Sequence, residues 1–216
     1  MYLLYNLFMD IKPLETKLLH NWLGSGSINI FGRPFSGKDT QAKILADFFN
    51  CFVIGGGDLI RNSNATSVKR FIEEGKLAPQ ADYLKIVLPL LNQAKYQNKP
   101  LILSSLGRWH GEEKEILEST NKANHPIKAV IYLDISEQIV YERLQKAQQL
   151  KDRGHRKDDN HASIKTRLQE FKLKTIPVIN VYQQKNLLIQ INGNQSRTQV
   201  TKEIFQKLIS VAKNKD

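Results

Sequence analysis

The stretch that decides the fold is SINIFGRPFSGKDTQAKIL, residues 27–45. An apolar run at residues 28–31 leads into a glycine-containing loop, and a helical pattern begins at about Lys38. Gly32, four further residues, Gly37 and Lys38 have the spacing of a phosphate-binding loop. Glycines let the backbone direct several N–H groups at one anion, while the helix N-terminus and the lysine ammonium add positive potential. The stretch therefore predicts a strand, a phosphate-binding loop and a helix.

The rest of the chain alternates short apolar runs with longer segments of helical periodicity. Because this alternation is typical of strands joined by crossover helices, we predict an α/β fold with a five-stranded parallel sheet. The further predicted strands cover residues 52–54, 101–103, 129–133 and 187–191. The predicted helices cover residues 38–49, 67–74, 81–97, 112–121, 136–150, 161–184 and 199–212.

The composition indicates a globular protein with a cationic bias. The 216 residues carry a formal net charge of +11, which suits anionic partners from nucleotides to RNA. No aromatic-rich recognition motif favours nucleic acid binding. A single cysteine, Cys51, excludes an internal disulfide and a cysteine-based zinc site. The most apolar stretch, residues 1–9, is too short to span a bilayer and follows no basic residues, so we expect no membrane segment and a cytoplasmic monomer.

Further short motifs follow the phosphate-binding loop in a fixed order. They are GDLIR at 57–61, GKLAP at 75–79, GR at 107–108, ERL at 142–144, RKDD at 156–159, RL at 167–168 and TIP at 175–177. Together with the loop GRPFSGKDTQ, this order resembles the adenylate kinase family of nucleoside monophosphate kinases, whose loop reads GxPGSGKGTQ. The resemblance covers residue 28 to about residue 210, and residues 1–27 precede it as an N-terminal extension.

The resemblance implies both a fold and a reaction. It implies a three-layer P-loop NTPase domain over residues 28–216, with an NMP-binding lobe at about 57–86 and a short lid at about 147–160. The reaction is transfer of the γ-phosphoryl group of ATP to a nucleoside monophosphate with Mg²⁺ and without zinc, so small-molecule nucleotides are the expected partners. Adenylate kinase activity is the first expectation. The alternatives are a kinase that prefers GMP or CMP and a nucleotide-binding regulatory protein that has lost catalysis.

The resemblance also implies which residues form the site. Lys38 is expected on the donor β- and γ-phosphates and Arg143 against the donor base, while Arg61 and Arg108 hold the acceptor phosphate. The full set expected to bind ATP is Gly32, Arg33, Pro34, Phe35, Ser36, Gly37, Lys38, Asp39, Thr40 and Arg143. The set expected to bind the acceptor is Gly57, Arg61, Lys76, Leu77, Ala78, Arg108 and Glu112. The expected catalytic residues are Lys38, Arg108, Arg156 and Arg167, of which Arg156 and Arg167 contact the transferring group. Arginine suits these roles because its planar guanidinium binds phosphate oxygens in pairs.

One departure from the family concerns the magnesium site. Ser104 follows the predicted third strand where the family has an aspartate that orders the water shell of Mg²⁺. Asp39 adds a carboxylate to the phosphate-binding loop where the family has glycine. We hypothesise that Asp39 takes over the metal role from the opposite wall of the site. The alternatives are that Asp39 caps or solvates the first helical turn, or that it repels phosphate and marks an inactive site.

A second departure concerns recognition of the acceptor base. Gly56 replaces a threonine of the family, Ala78 a valine, and Glu112 a glutamine whose amide can both accept from and donate to adenine. A carboxylate only accepts, so Glu112 taken alone favours the hydrogen-bond donors of guanine or cytosine. The alternative is that Glu112 belongs to the first turn of a helix or that the alignment shifts by one residue. AMP stays the first expectation because of the family.

Overall fold

The computed structural model describes residues 11–62, 66–150 and 160–214. Arg156, most of the predicted lid and the first ten residues of the N-terminal extension lie outside the described residues. Among the described residues, no helix combines the length and apolar character needed to cross a membrane.

Five parallel strands form one sheet within the described residues. They are β1 (Ser27–Gly32), β2 (Phe52–Gly55), β3 (Leu101–Ser104), β4 (Ile127–Asp134) and β5 (Leu188–Asn192). Their order across the sheet is β2-β3-β1-β4-β5, and every neighbouring pair is parallel. The predicted α/β fold with a five-stranded parallel sheet is therefore confirmed. Because β1 lies at the centre, the loop that follows it opens at the carboxyl edge of the sheet, where ligands bind in folds of this kind.

Helices cover both faces of this sheet. They are α1 (Pro13–Leu23), α2 (Lys38–Phe49), α3 (Gly56–Asn62), α4 (Thr66–Glu73), α5 (Gln80–Leu91), α6 (Glu112–Lys122), α7 (Glu137–Leu150), α8 (His161–Glu170), α9 (Ile176–Gln184) and α10 (Arg197–Lys213). A 3-10 turn occupies Ala94–Tyr96, and a π-helical turn occupies Phe171–Thr175.

One predicted helix is shorter in the structure, and another contains an irregular turn. The predicted helix over 81–97 ends at Leu91, and the 3-10 turn that follows buries Tyr96. The predicted helix over 161–184 is observed as one continuous helical stretch, in which a π-helical turn lies between α8 and α9. Pro177 stands in the first turn of α9, where its missing N–H leaves no intrahelical bond unmade.

The alternating side chains of β1 divide the core between the two faces of the sheet. Ile28 and Ile30 pack in the cluster that contains α1, α2 and α10, whereas Phe31 packs with β3 and α9 on the other face. All six residues of β1 are buried, as expected for a central parallel strand. Asn29 is also buried, and its side-chain amide donates to the carbonyl of Leu106 at 2.8 Å and accepts from the Leu106 N–H at 3.3 Å. This pair of bonds fixes the loop after β3 beside the phosphate-binding loop.

The N-terminal extension contributes one helix to the same core. Leu19, Trp22 and Leu23 of α1 are buried against residues of α10, including Leu208 and Ala212. The apolar face of α1 is therefore part of the folded domain.

Candidate active site

The phosphate-binding loop turns tightly between β1 and α2. A Cβ atom at Gly32 would lie 2.3 Å from Ser36 Oγ and 3.1 Å from the Leu133 carbonyl oxygen, so only glycine fits there. Gly37 caps α2 with a φ of 91°, a left-handed conformation that glycine adopts at little cost. Lys38 is then the first residue of the helix. The loop thus ends at a helix N-terminus, as the sequence predicts for an anion site.

The Arg33 guanidinium has a structural task. Its Nη1 atom donates to Tyr132 Oη at 2.9 Å, to Asp134 Oδ1 at 2.9 Å and to the Ile135 carbonyl at 2.8 Å. It also lies 5.5 Å from the centroid of the Phe171 ring. These contacts tie the loop to the end of β4. The guanidinium of Arg33 is therefore engaged at the end of β4, and the expectation that Arg33 is among the residues that bind ATP stays a prediction.

Two cavities open at the carboxyl edge of the sheet and share part of their walls. The first lies along α2 and α7 and is called the donor cavity, because residues predicted to bind ATP line it. The second lies under α3 and α5 and is called the acceptor cavity, because residues predicted to bind the acceptor line it. Lys38 and Asp39 line both cavities. Ligands in the two cavities would therefore approach each other at these two residues.

The donor cavity contains most of the residues predicted to bind ATP. Those that line it are Phe35, Ser36, Gly37, Lys38, Asp39, Thr40 and Arg143. Gly32, Arg33 and Pro34 are absent from the lining of both cavities over the described residues. Arg143 Nη1 donates to the Phe35 carbonyl at 3.0 Å, and its Nη2 donates to the Gly193 carbonyl at 2.7 Å. The guanidinium thereby connects the phosphate-binding loop to the loop after β5, and burial lowers its pKa.

Asp39 and Ser104 meet where the two cavities join. Ser104 Oγ donates to Asp39 Oδ1 at 3.0 Å, so the carboxylate on α2 reaches the end of β3. Both residues line the acceptor cavity beside Lys38. A carboxylate and a hydroxyl are oxygen ligands of the kind that Mg²⁺ prefers. The residues present at this point therefore fit a magnesium ion.

All of the residues predicted to bind the acceptor line the acceptor cavity: Gly57, Arg61, Lys76, Leu77, Ala78, Arg108 and Glu112. Arg167 lines it as well, and its aliphatic part packs against Gly75, where a Cβ atom would lie 3.2 Å from Arg167 Cγ and 2.5 Å from the Ser163 carbonyl oxygen. The structure thus brings the predicted acceptor residues to one place.

Three arginines, Arg61, Arg108 and Arg167, line the acceptor cavity. Desolvation, followed by repulsion from Arg167, lowers the pKa of Arg108 to about 10. Arg61 Nη2 donates to Asp58 Oδ1 at 2.7 Å, and the exposure of this pair limits its contribution to stability. Repulsion between Arg108 and Arg167 disfavours the empty site and is relieved by a bound anion. The arrangement therefore suits phosphate groups.

Glu112 is the first residue of α6 and is fully buried. Its Oε2 accepts from the backbone N–H groups of Arg108 at 2.7 Å and Trp109 at 2.9 Å. Its Oε1 is buried without a hydrogen-bond partner among the described residues. Burial raises the pKa of Glu112 to about 7. The carboxyl group thus closes the loop that carries Arg108 and keeps one oxygen unused at the acceptor cavity.

Three side chains in or beside the acceptor cavity are not among the predicted site residues. Trp109 lines it and donates from Nε1 to the Ala78 carbonyl at 3.0 Å. Glu170 Oε2 accepts from the Leu77 N–H at 3.0 Å and pairs with Lys174, whose Nζ lies 3.7 Å from the Trp109 ring centroid. Tyr83 lines the cavity beside Glu112. The available signal was the position of Trp109 next to Arg108, whereas Tyr83 and Glu170 lie in ordinary helical patterns.

The fold and the site together define a P-loop phosphotransferase. A phosphate-binding loop follows the central strand of a parallel sheet, and two cavities meet at the lysine of that loop. A family model described as adenylate kinase matches residues 30–187. The chain is 31% identical over 183 residues to an adenylate kinase of Leptospira biflexa, covering 82% of this chain and 96% of that protein. It is 33% identical over 185 residues to one of Xanthomonas campestris, covering 83% and 97%. It is 28% identical over 188 residues to one of Azobacteroides pseudotrichonymphae, covering 84% and 96%.

The chain belongs to the adenylate kinase family. The family resemblance stated from the motifs is confirmed, and so is the predicted reaction class. The protein is a nucleoside monophosphate kinase that uses ATP as phosphoryl donor.

Proposed function

We propose that this enzyme transfers the γ-phosphoryl group of ATP to AMP, with ATP in the donor cavity and AMP in the acceptor cavity. The observation that carries this proposal is that Lys38 and Asp39 line both cavities. In-line transfer needs the donor γ-phosphate and the acceptor phosphate to face each other at one cationic point, and the shared wall supplies such a point.

Each cation has a role that follows from its place. Lys38 at the start of α2 binds the donor β- and γ-phosphates, and Arg143 stacks against the donor base. Arg61 and Arg108 bind the acceptor phosphate. Arg167 stabilises the charge on the transferring group. By resemblance Arg156, which lies outside the described residues, has the same role. Such preorganised charges act in the transition state, where negative charge is spread over the phosphoryl oxygens.

Asp39 is the proposed magnesium residue, and Ser104 orients it. The hydrogen bond from Ser104 Oγ to Asp39 Oδ1 supports this assignment, because it brings the carboxylate to the end of β3. Mg²⁺ held there would neutralise part of the charge on the donor phosphates. Lys38 and the arginines bind and orient the two phosphates on either side. Small-molecule nucleotides are the proposed partners of a cytoplasmic monomer.

A coupled assay of ADP formation tests the proposal. The purified protein receives ATP and Mg²⁺ with AMP, GMP, CMP, UMP or dTMP in turn. We expect turnover with AMP that falls at least about a hundredfold in Lys38→Met. Lys43→Met, an exposed lysine on the same helix, is the matched control and should keep full activity. ATP binding without transfer to any acceptor would contradict the proposal and favour a regulatory nucleotide-binding protein.

A further inference from the structure

The hydroxyl group of Tyr83 lies inside the acceptor cavity, over Gly56. Tyr83 is only 7% exposed, and its Oη accepts from the Gly107 N–H at 3.4 Å. A Cβ atom at Gly56 would lie 2.6 Å from Tyr83 Oη. Glycine at position 56 therefore makes the room that the tyrosine hydroxyl occupies. No described residue accepts the Tyr83 O–H proton, which is available to a ligand.

Glu112 offers the complementary group in the same cavity. Its Oε2 is engaged by two backbone N–H donors, and its Oε1 is buried with no partner among the described residues. An unpaired buried oxygen costs free energy unless a ligand donates to it. Both residues line the same cavity. Burial, followed by repulsion from the Glu112 carboxylate, raises the pKa of Tyr83, so the tyrosine keeps its proton.

We propose that Tyr83 and Glu112 together read the acceptor base, with Tyr83 Oη donating to N1 of adenine and Glu112 Oε1 accepting from its exocyclic N6–H. This inference rests on the proposed function, because it places the base of AMP in the acceptor cavity. The two side chains then supply one donor and one acceptor, which is what the outer edge of adenine needs.

The occupied Oε2 oxygen is what disfavours guanine. Guanine presents N1–H and N2–H side by side, and a carboxylate satisfies both only when both of its oxygens are free. In this chain the Arg108 and Trp109 N–H groups already use Oε2, so one guanine donor would be buried unpaired. Cytosine leaves its O2 acceptor without a partner from this pair. A carboxylate alone suggests a preference for GMP or CMP. The hydrogen bonds that already occupy Glu112 Oε2 oppose this preference.

The test compares AMP with 1-deaza-AMP, in which a C–H group replaces N1. At pH 8 the ratio of kcat/KM for the two acceptors should be about ten in the natural protein and about one in Tyr83→Phe, because one buried hydrogen bond is lost. Both acceptors are measured on the same preparation, so the ratio does not depend on how much of a variant is folded. Tyr96→Phe, a buried tyrosine outside both cavities, is the matched control and should keep the ratio of ten.

A second arm tests Glu112. Purine riboside 5′-monophosphate lacks the N6 amino group, so the natural protein should prefer AMP to it by about tenfold. Glu112→Gln should lose this preference, because its amide oxygen accepts from the Arg108 and Trp109 N–H groups and its NH2 group, a donor, then replaces Oε1. An unchanged ratio for 1-deaza-AMP in Tyr83→Phe, or higher kcat/KM for GMP or CMP than for AMP, would overturn the inference. Failure of the proposed function looks different, because no acceptor is then turned over. The same two ratios measured as Kd values still test base reading in that case.

Discussion

The Glu112 carboxyl group should make the stability of the protein depend on pH. Burial raises its pKa from 4.5 to about 7 in the folded state. An acid whose pKa is raised by folding contributes stability that is fully present below its unfolded pKa and is lost as the pH rises through the folded pKa. The difference of about 2.5 pKa units corresponds to about 3 kcal/mol in total, most of it lost between pH 5 and pH 8.

Urea unfolding at pH 5, 6, 7 and 8 measures this loss directly. Glu112→Gln keeps an oxygen that can accept from the Arg108 and Trp109 N–H groups but does not ionise. The free energy of unfolding of the natural protein should therefore fall by about 2 to 3 kcal/mol relative to Glu112→Gln between pH 5 and pH 8. Glu118→Gln, an exposed glutamate on the same helix, should follow the natural protein. Parallel pH profiles for the natural protein and Glu112→Gln would refute the reasoning.

Three further predictions concern single contacts. Gly56→Ala should raise KM for AMP, because the alanine Cβ atom would lie 2.6 Å from Tyr83 Oη. Adding Tyr83→Phe should bring KM for AMP part of the way back, and an unchanged KM would mean that the tyrosine hydroxyl is not the obstacle. Arg143→Ala should raise KM for ATP severalfold and leave KM for AMP nearly unchanged, since Arg143 lines the donor cavity; equal effects in initial-rate kinetics would contradict this. Arg33→Ala should lower the urea midpoint of unfolding, because it removes the hydrogen bonds to Tyr132 Oη, Asp134 Oδ1 and the Ile135 carbonyl. A loss of ATP affinity at unchanged stability would contradict this structural role of Arg33.

Much of the fold could be predicted because local patterns and tertiary demands agree. The apolar run of β1 is buried on both faces. Gly32 stands where a Cβ atom would clash, and Gly37 stands where the backbone has a positive φ. The predicted helix over 161–184 is confirmed as a helical stretch, but its periodicity does not reveal the π-helical turn at Phe171–Thr175 that precedes Pro177.

The candidate site was harder to predict where it depends on side-chain orientation. Arg33 belongs to the loop motif, yet its guanidinium turns toward Asp134, which is distant in sequence. The sequence alone suggests that Asp39 compensates for the aspartate missing at position 104, but the hydrogen bond between Ser104 Oγ and Asp39 Oδ1 depends on how the two side chains are oriented. One carboxylate oxygen of Glu112 accepts hydrogen bonds from its own loop, and the other oxygen does not. Composition and spacing do not reveal this difference between the two oxygens.

The most direct test of the account moves the proposed magnesium carboxylate from α2 to β3. Rates are measured against Mg²⁺ concentration for the natural protein, Asp39→Asn, Asp39→Gly and the double variant Asp39→Gly with Ser104→Asp. Because Ser104 Oγ lies 3.0 Å from Asp39 Oδ1, a carboxylate at either position reaches the same region. We predict that both single variants lose about a hundredfold in kcat and need more Mg²⁺, and that the double variant regains most of both. Unchanged activity and Mg²⁺ dependence in Asp39→Gly would contradict the account.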